Sequence, residues 1–302
     1  MFVFQGREYE AIPLGKQTHN GVYTVDRYLV KTYRTRWKQA HEIFAMEALA
    51  DVLPVPKIVE RGMWTEKKEG TDAGLPYLLI TKLPGETVDS LWAFLSREEK
   101  VKIVRTAGEW LRKMHDALPM SFIGLLDEHG QSRGGYFSGW GDYLASDVRR
   151  WQGMLEKQGI GTEADASRLK AMTELVVSKQ SELNGVRETS FLHRDFGLRN
   201  LLMTGDGELS GVIDFEHGLA GDPWSDLVRM AAENLFADEE LLGVYTTAYL
   251  RRPMNASERD RLLTYLAHHA VSQFGYGWRE GVEEEVNHAR TLMRWVAANT
   301  FD

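Results

Sequence analysis

Residues 191 to 216 constrain this chain more than any other stretch. An apolar run, Phe191-Leu192, leads into the polar segment His193-Arg194-Asp195-Phe196-Gly197-Leu198-Arg199-Asn200, and a second apolar run, Leu201-Leu202-Met203, follows at once. The glycine-bearing turn Thr204-Gly205-Asp206-Gly207-Glu208 then separates it from Leu209-Ser210-Gly211-Val212-Ile213, which ends in Asp214-Phe215-Glu216. Two short apolar runs flanking such a turn predict an antiparallel hairpin, 201–203 against about 209–213. Centring it on Asp206 sets Asn200 opposite Val212 and Asp214 opposite Leu198, so both polar side chains fall at the open end.

Polar groups of these types at one end of a hairpin suit phosphoryl transfer. That reaction needs a carboxylate within reach of the acceptor hydroxyl, and hard oxygen ligands that hold magnesium against a triphosphate. Asp195 is the candidate base, and Asn200 with Asp214 are the candidate metal ligands. The competing explanation is a hairpin whose Asp and Asn merely cap turns; the strand that ends on Asp214 argues against it. Upstream, Lys31 closes the strand-like run Tyr28-Leu29-Val30, where an ammonium could meet phosphates, and Glu47 lies in the next helical stretch, where it could pair with Lys31. Each alone reads as a surface charge, and their order along the chain raises them. Gly15 to Gly21 could cover phosphates, although two glycines six apart more often mark a turn.

Around these residues the first third reads as strands with one helix. Val22 to Val25 and Tyr28 to Tyr33 flank Asp26-Arg27 and predict a two-residue hairpin. Residues 37–52 carry Ile43, Phe44, Ala48 and Leu49 at helical spacing, with Pro54 and Pro56 beyond. Tyr77 to Thr81 is a further strand, and Lys82-Leu83-Pro84-Gly85 reads as a connector. The expected division is 1–85 and 86–302. Ser96 with Glu99 forms a capping-box signature, and Val101, Val104, Ala107, Leu111 and Met114 continue it as a helix. The second part is expected to be mainly helical, which makes the class α+β.

At 302 residues and a formal charge of -8, the chain can bury a sizeable core but lacks the basic face with which a protein grips nucleic acid, so no nucleic-acid partner is expected. Residues 1–85 hold 12 Lys and Arg against 10 Asp and Glu, and the remainder 24 against 34. The absence of cysteine excludes disulfides and thiolate metal sites. Charge arrives too early for a signal-peptide core, and no run approaches the roughly 18 apolar residues of a membrane span. A cytoplasmic location without a membrane partner is the expectation; the oligomeric state is open.

Taken together, these residues resemble the aminoglycoside phosphotransferase and choline kinase group, small-molecule kinases with a protein-kinase-like fold. The resemblance runs from about Leu14 to Met230 and is strongest between Phe191 and Asp226. It implies a bilobal fold, an N-terminal antiparallel sheet with one helix above a helical C-terminal lobe, and ATP or GTP as donor with Mg2+. By position it implies that Lys31 holds the nucleotide phosphates and Glu47 anchors Lys31. Thr81 and Leu83 would meet adenine through their backbones, with Leu202 and Ile213 lining its pocket. Asp195 would be the base, and Asn200 and Asp214 the metal ligands. Protein kinases are the weaker match: they have lysine where this chain has Gly197 and glycine where it has Glu216, and they carry an Ala-Pro-Glu segment that is missing here. The group often has glycine in place of Arg194. Gly221-Asp222-Pro223-Trp224-Ser225-Asp226 also resembles the group, and reads as a helix start with Asp222 as N-cap.

For the acceptor, the acidic C-terminal part is compatible with a cationic small molecule such as an aminoglycoside. Glu280, Glu283, Glu284 and Glu285 read better as complements to a helix dipole. Trp140, Tyr143, Trp151, Phe274, Tyr276 and Trp278 could shape a pocket, although aromatics so placed are usually core. The expected partner is a hydroxylated small molecule, most simply an antibiotic. A metabolic kinase of choline, amino-sugar or homoserine type, a macrolide kinase, and a binding protein without catalysis are the alternatives.

Overall fold

The computed structural model describes residues 2–4, 6–14, 20–64, 74–135, 137–159 and 161–300. They form two compact units. Unit 1 comprises Met1–Phe94, Leu125–Arg133 and Arg199–Leu219; unit 2 comprises Leu95–Gly124, Gly134–Leu198 and Ala220–Asp302. Two later stretches thus return to the N-terminal unit, which a single cut after residue 85 does not express.

Unit 1 is built on a five-stranded sheet in the order Ile12–Pro13, Val22–Val25, Tyr28–Thr32, Leu75–Thr81, Ile58–Trp64, antiparallel at each pairing. The expected two-residue hairpin is present: Val25 pairs with Tyr28, and Asp26 takes φ 53°, a left-handed conformation that Asp tolerates better than most residues. Val30 and Leu79, fully buried on adjacent strands, join Phe2, Phe4, Val25 and Tyr77 in one apolar cluster. Strand alternation turns the next residue, Lys31, to the opposite face.

Helix α1 (Arg36–Leu49) meets that face. Its buried residues include Glu42, Ala45, Met46 and Leu49, an i, i+3, i+4, i+7 stripe. The predicted stripe through Phe44 and Ala48 is rotated from this one: Ala48 is exposed and Phe44 half-buried.

The hairpin read from the sequence is Leu201–Met203 against Leu209–Val212, joined by Glu86–Thr87 as a third strand. Its register departs from the expectation. Met203 pairs with Leu209, but Leu202 pairs with Gly211 and Leu201 with Val212, so Ser210 is a bulge residue. The Ile213 N–H donates to the Asn200 carbonyl at 3.0 Å. Asn200 therefore lies opposite Ile213 rather than Val212. Gly85 precedes the third strand at φ 101°, where a Cβ would sit 2.2 Å from the Met203 carbonyl oxygen.

Unit 2 is mainly helical. Helix α2 (Arg97–Ala117) starts with the predicted capping box: Glu99 N–H donates to Ser96 Oγ at 3.3 Å, and Ser96 N–H to Glu99 Oε2 at 2.7 Å. Val104, Ala107, Leu111 and Met114 are buried along it. Long helices Ala256–Glu280 and Glu283–Thr300 close the chain, with Gly281 at φ 70° between them. Strand Thr189–Leu192 pairs antiparallel with Pro119–Met120 and delivers the chain to the loop that bears Asp195. Among the described residues no helix is long and apolar enough to cross a membrane.

Candidate active site

The unit 1 cluster centres on Lys31, whose Nζ lies 2.8 Å from Glu42 Oε2, 2.7 Å from Asp214 Oδ1 and 3.0 Å from Glu216 Oε2. Lys31 and Asp214, 183 residues apart in sequence, are thus in direct contact. The partner supplied by α1 is Glu42, not Glu47. Glu42 stands on the buried stripe, whereas Glu47 lies five positions on, about 140° around the helix, and is exposed. Glu216 is shared: Lys38 Nζ donates to its Oε1 at 2.8 Å and Asn20 Nδ2 to its Oε2 at 2.5 Å. Tyr33 donates its hydroxyl to Glu42 at 2.8 Å.

Burial by itself would favour a neutral amine, but Glu42, Asp214 and Glu216 outweigh it and hold Lys31 charged well above the usual lysine range. Glu42 is pushed up by the same burial, against the pull of Lys31. Glu216, although burial opposes its charge, is held below the usual carboxylate range by Lys31 and Lys38. Two ammonium groups against three carboxylates leave one negative charge. Asp214 is the carboxylate best placed to share it, with a side chain 35% exposed against 3% for Glu42 and 8% for Glu216. The three carboxylates lie close enough together to hold an ion, but Lys31 already stands among them. The donor set that suits a hard divalent ion is Asp214 with Asn200, a carboxylate and an amide oxygen.

Both residues leave the hairpin ladder. Asn200, buried, closes the 3-10 turn Leu198–Asn200, and Asp214 takes φ 70°, which ends the strand. A non-glycine residue held there costs about 1–3 kcal/mol and persists where its surroundings fix it.

The residues implied for adenine also fall in unit 1. Leu202 is buried and pairs with Gly211; a Cβ on Gly211 would lie 2.3 Å from Leu83 Cδ1, so Leu83 packs across the hairpin. Ile213 is half-buried on the same hairpin. Thr81 gives its N–H to the Lys57 carbonyl at 2.9 Å, and that donor is committed within the sheet. Gly15 to His19 lie outside the described residues, which leaves Asn20 and Gly21 of that segment.

In unit 2 Asp195 stands on a loop fixed through its backbone. Asp226, 1% exposed, accepts the N–H of His193 at 2.6 Å and that of Arg194 at 2.7 Å, with His115 Nε2 3.1 Å from the same carboxylate. Arg194 sits at φ 64°, a left-handed conformation that glycine would adopt at less cost; its guanidinium donates to the Tyr143 hydroxyl at 2.9 Å. His193 is fully buried, and its Nδ1 accepts the Asp195 N–H at 3.3 Å, a bond that ties the ring to the loop backbone. Sequence reasoning missed Arg229. Its Nε lies 3.1 Å from Asp195 Oδ1, and its second guanidinium nitrogen pairs with Glu233 at 2.6 Å. The available signal was the i, i+4 spacing of Arg229 and Glu233.

Asp222 caps Pro223–Asp226 as expected, accepting from Trp224 N–H at 3.0 Å, and also pairs with Arg261 and Tyr265. Trp140, Trp151 and Phe274 are buried core residues, and Glu283, Glu284 and Glu285 occupy the first turn of a helix.

A family model described as the phosphotransferase enzyme family matches residues 10–263. The chain belongs to that family. Its activity is phosphoryl transfer by a small-molecule kinase with an α+β, protein-kinase-like fold. Solved structures of other phosphotransferases share the fold at low identity. A thermostable mutant of aminoglycoside phosphotransferase APH(4)-Ia, in ternary complex with ADP and hygromycin B, matches with TM-score 0.71 and 15% identity over 97% of this chain and 95% of that one. The gentamicin complex of APH(2")-IIa gives 0.63 and 18% over 94% and 90%. The GDP complex of aminoglycoside 2'-phosphotransferase-IIIa gives 0.68 and 16% over 97% and 93%.

Proposed function

We propose that this phosphotransferase moves the γ-phosphoryl group of ATP or GTP to a hydroxyl of an aminoglycoside or a similar hydroxylated antibiotic. The observation that carries the reading is the Lys31 Nζ–Asp214 Oδ1 contact of 2.7 Å, anchored by Glu42. It joins the residue expected to hold phosphates to one expected to hold metal.

In this reading unit 1 takes the nucleotide. Lys31 meets the phosphates, and Leu83, Leu202 and Ile213 offer apolar contact to the base, with Thr81 contributing backbone at most through its carbonyl. Asn200 and Asp214 hold magnesium, which supplies charge neutralisation when bound. Unit 2 supplies Asp195, which accepts the proton of the acceptor hydroxyl as that oxygen bonds to the γ-phosphorus and the nucleoside diphosphate leaves. The protein positions and neutralises, and forms no covalent bond of its own.

The neighbours that hold hygromycin B and gentamicin support an antibiotic acceptor. One observation favours a metabolic acceptor instead: Arg194, next to Asp195, is exposed, and a guanidinium there suits an acceptor with few cations.

The test is nucleotide turnover with magnesium against aminoglycosides, macrolides and small amino alcohols, with Asp195→Asn as control. Stimulation by one class, falling by about 10²–10⁴-fold in the variant while nucleotide still binds, is the expected result. Near-normal turnover in Asp195→Asn would remove the base assignment, and stimulation by amino alcohols alone would select the metabolic acceptor.

A further inference from the structure

Backbone contacts fix where the loop that bears Asp195 runs, and a side chain on another element meets its carboxylate. Arg229 belongs to the helical turn Leu227–Met230, directly after the 3-10 turn that ends in Asp226. One short stretch of chain therefore touches the catalytic loop twice, with Asp226 on the backbone of His193 and Arg194 and Arg229 on the carboxylate of Asp195.

The geometry of the second contact is specific. Arg229 Nε approaches Asp195 Oδ1 to 3.1 Å without the alignment of a hydrogen bond, and this buried donor has no hydrogen-bond partner. A buried donor left without a partner is costly and calls for an explanation. Glu233, four residues on, grips the other end of the guanidinium at 2.6 Å, so Arg229 cannot follow Asp195 if the carboxylate swings away. Gly197 contributes no side chain here, and Arg229 Cγ lies 3.4 Å from where a Cβ on it would be. The side chains are nearly closed to water, Asp195 14% and Arg229 19% exposed, where charge attraction is less screened than at the surface.

We propose that Arg229 is a positioning residue for the base: it holds Oδ1 of Asp195 by charge and directs Oδ2 to the acceptor hydroxyl, with Glu233 as the brace. A small turn of the carboxylate completes the unsatisfied Nε bond as the proton transfers. This rests on Asp195 being the base.

The experiment uses MgATP hydrolysis with water as acceptor, which requires no knowledge of the natural acceptor. Arg229→Ala is expected to lower kcat by about 10–100-fold, the scale of a misplaced catalytic group, with KM for MgATP within twofold of wild type. Methylguanidinium should restore part of the loss, and Arg229→Lys should retain more activity than Arg229→Ala. The double variant with Asp195→Asn should be no slower than Asp195→Asn alone, because a residue that acts through the base adds nothing once the base is gone. Wild-type kcat in Arg229→Ala beside an impaired Asp195→Asn overturns the proposal and leaves the kinase reading standing. Additive losses overturn it too, by placing Arg229 elsewhere in the mechanism. Unimpaired Asp195→Asn removes the base itself and the proposal with it. Should Arg229→Ala fail to fold, Arg229→Lys decides: a several-fold fall in kcat at unchanged KM sustains the proposal, and an unchanged kcat ends it.

Discussion

Lys31 is fixed by three carboxylates within 3.0 Å, whereas Asp195 meets the cation Arg229 at 3.1 Å on a loop whose backbone is held by Asp226. The first centre is made by side chains meeting one another, and its charges are largely compensated before any ligand arrives. The second is made by pinning the main chain beside the contact between Asp195 and Arg229. The difference suits the two roles proposed for these residues. A phosphate-holding ammonium has to stay charged in a dry place, and buried charge is tolerable only among partners. A base has to stand in a fixed place and still receive a substrate hydroxyl.

The largest effect should come from Lys31→Met, which strands three carboxylates around an apolar side chain. Breaking buried ion pairs from one side costs about 3–5 kcal/mol, to be read as loss of unfolding free energy in urea; a loss below about 1 kcal/mol would mean the cluster is not a single electrostatic unit. Asp226→Ala comes next. It orphans the His193 and Arg194 amides, at about 1–3 kcal/mol for each unsatisfied group, and turnover should fall with stability because the loop is no longer pinned. Retained turnover in a measurably destabilised variant would contradict backbone pinning as the device that places the base.

A paired substitution on α1 sharpens the first centre. Glu42→Gln should destabilise by about 1–3 kcal/mol through a weakened buried partner, and Glu47→Gln by less than about 0.5 kcal/mol, as for an ordinary surface change; equal effects would dissolve the distinction between the two glutamates. The smallest effect concerns pH. Glu216 is held below its ordinary value of 4.5 when folded, so its ionised form stabilises the native state above that value and the benefit is lost as pH falls through the lower folded value. The stability gap between wild type and Glu216→Gln should shrink on acidification below about pH 4.5, and a gap that widened there would reverse the sign of the Glu216 contribution.

What was legible in the sequence was mostly short-range. The hairpin around Asp206, the Asp26-Arg27 turn and the Ser96–Glu99 cap each depend on neighbours within a few residues; the turn and the cap formed as read, and the hairpin formed with its register shifted at Ser210. Glu42 was not legible because a carboxylate on the inward stripe of a helix reads as polar, and its neighbours Ile43 and Phe44 suggested a stripe turned away from it. The presence of Lys31 and the Tyr33 hydroxyl opposite that face makes a buried glutamate acceptable there. Arg229 was hidden for a related reason, since its partner lies on a loop 34 residues earlier. The Ser210 bulge left no pattern in Leu209-Ser210-Gly211 to announce it.

That bulge separates the hairpin into a part that can be altered and a part that cannot. Toward Asp214 the ladder is counted from Leu202–Gly211 inward, and an inserted residue there would turn Asp214 and its neighbours to the wrong side. Beyond Met203–Leu209 the chain is an exposed tip in which Gly205 and Gly207 have nothing within 4 Å of an added Cβ. Residues 204–208 therefore offer a natural attachment point: a fluorophore or affinity tag placed there would report on the enzyme without disturbing the count that sets Asp214.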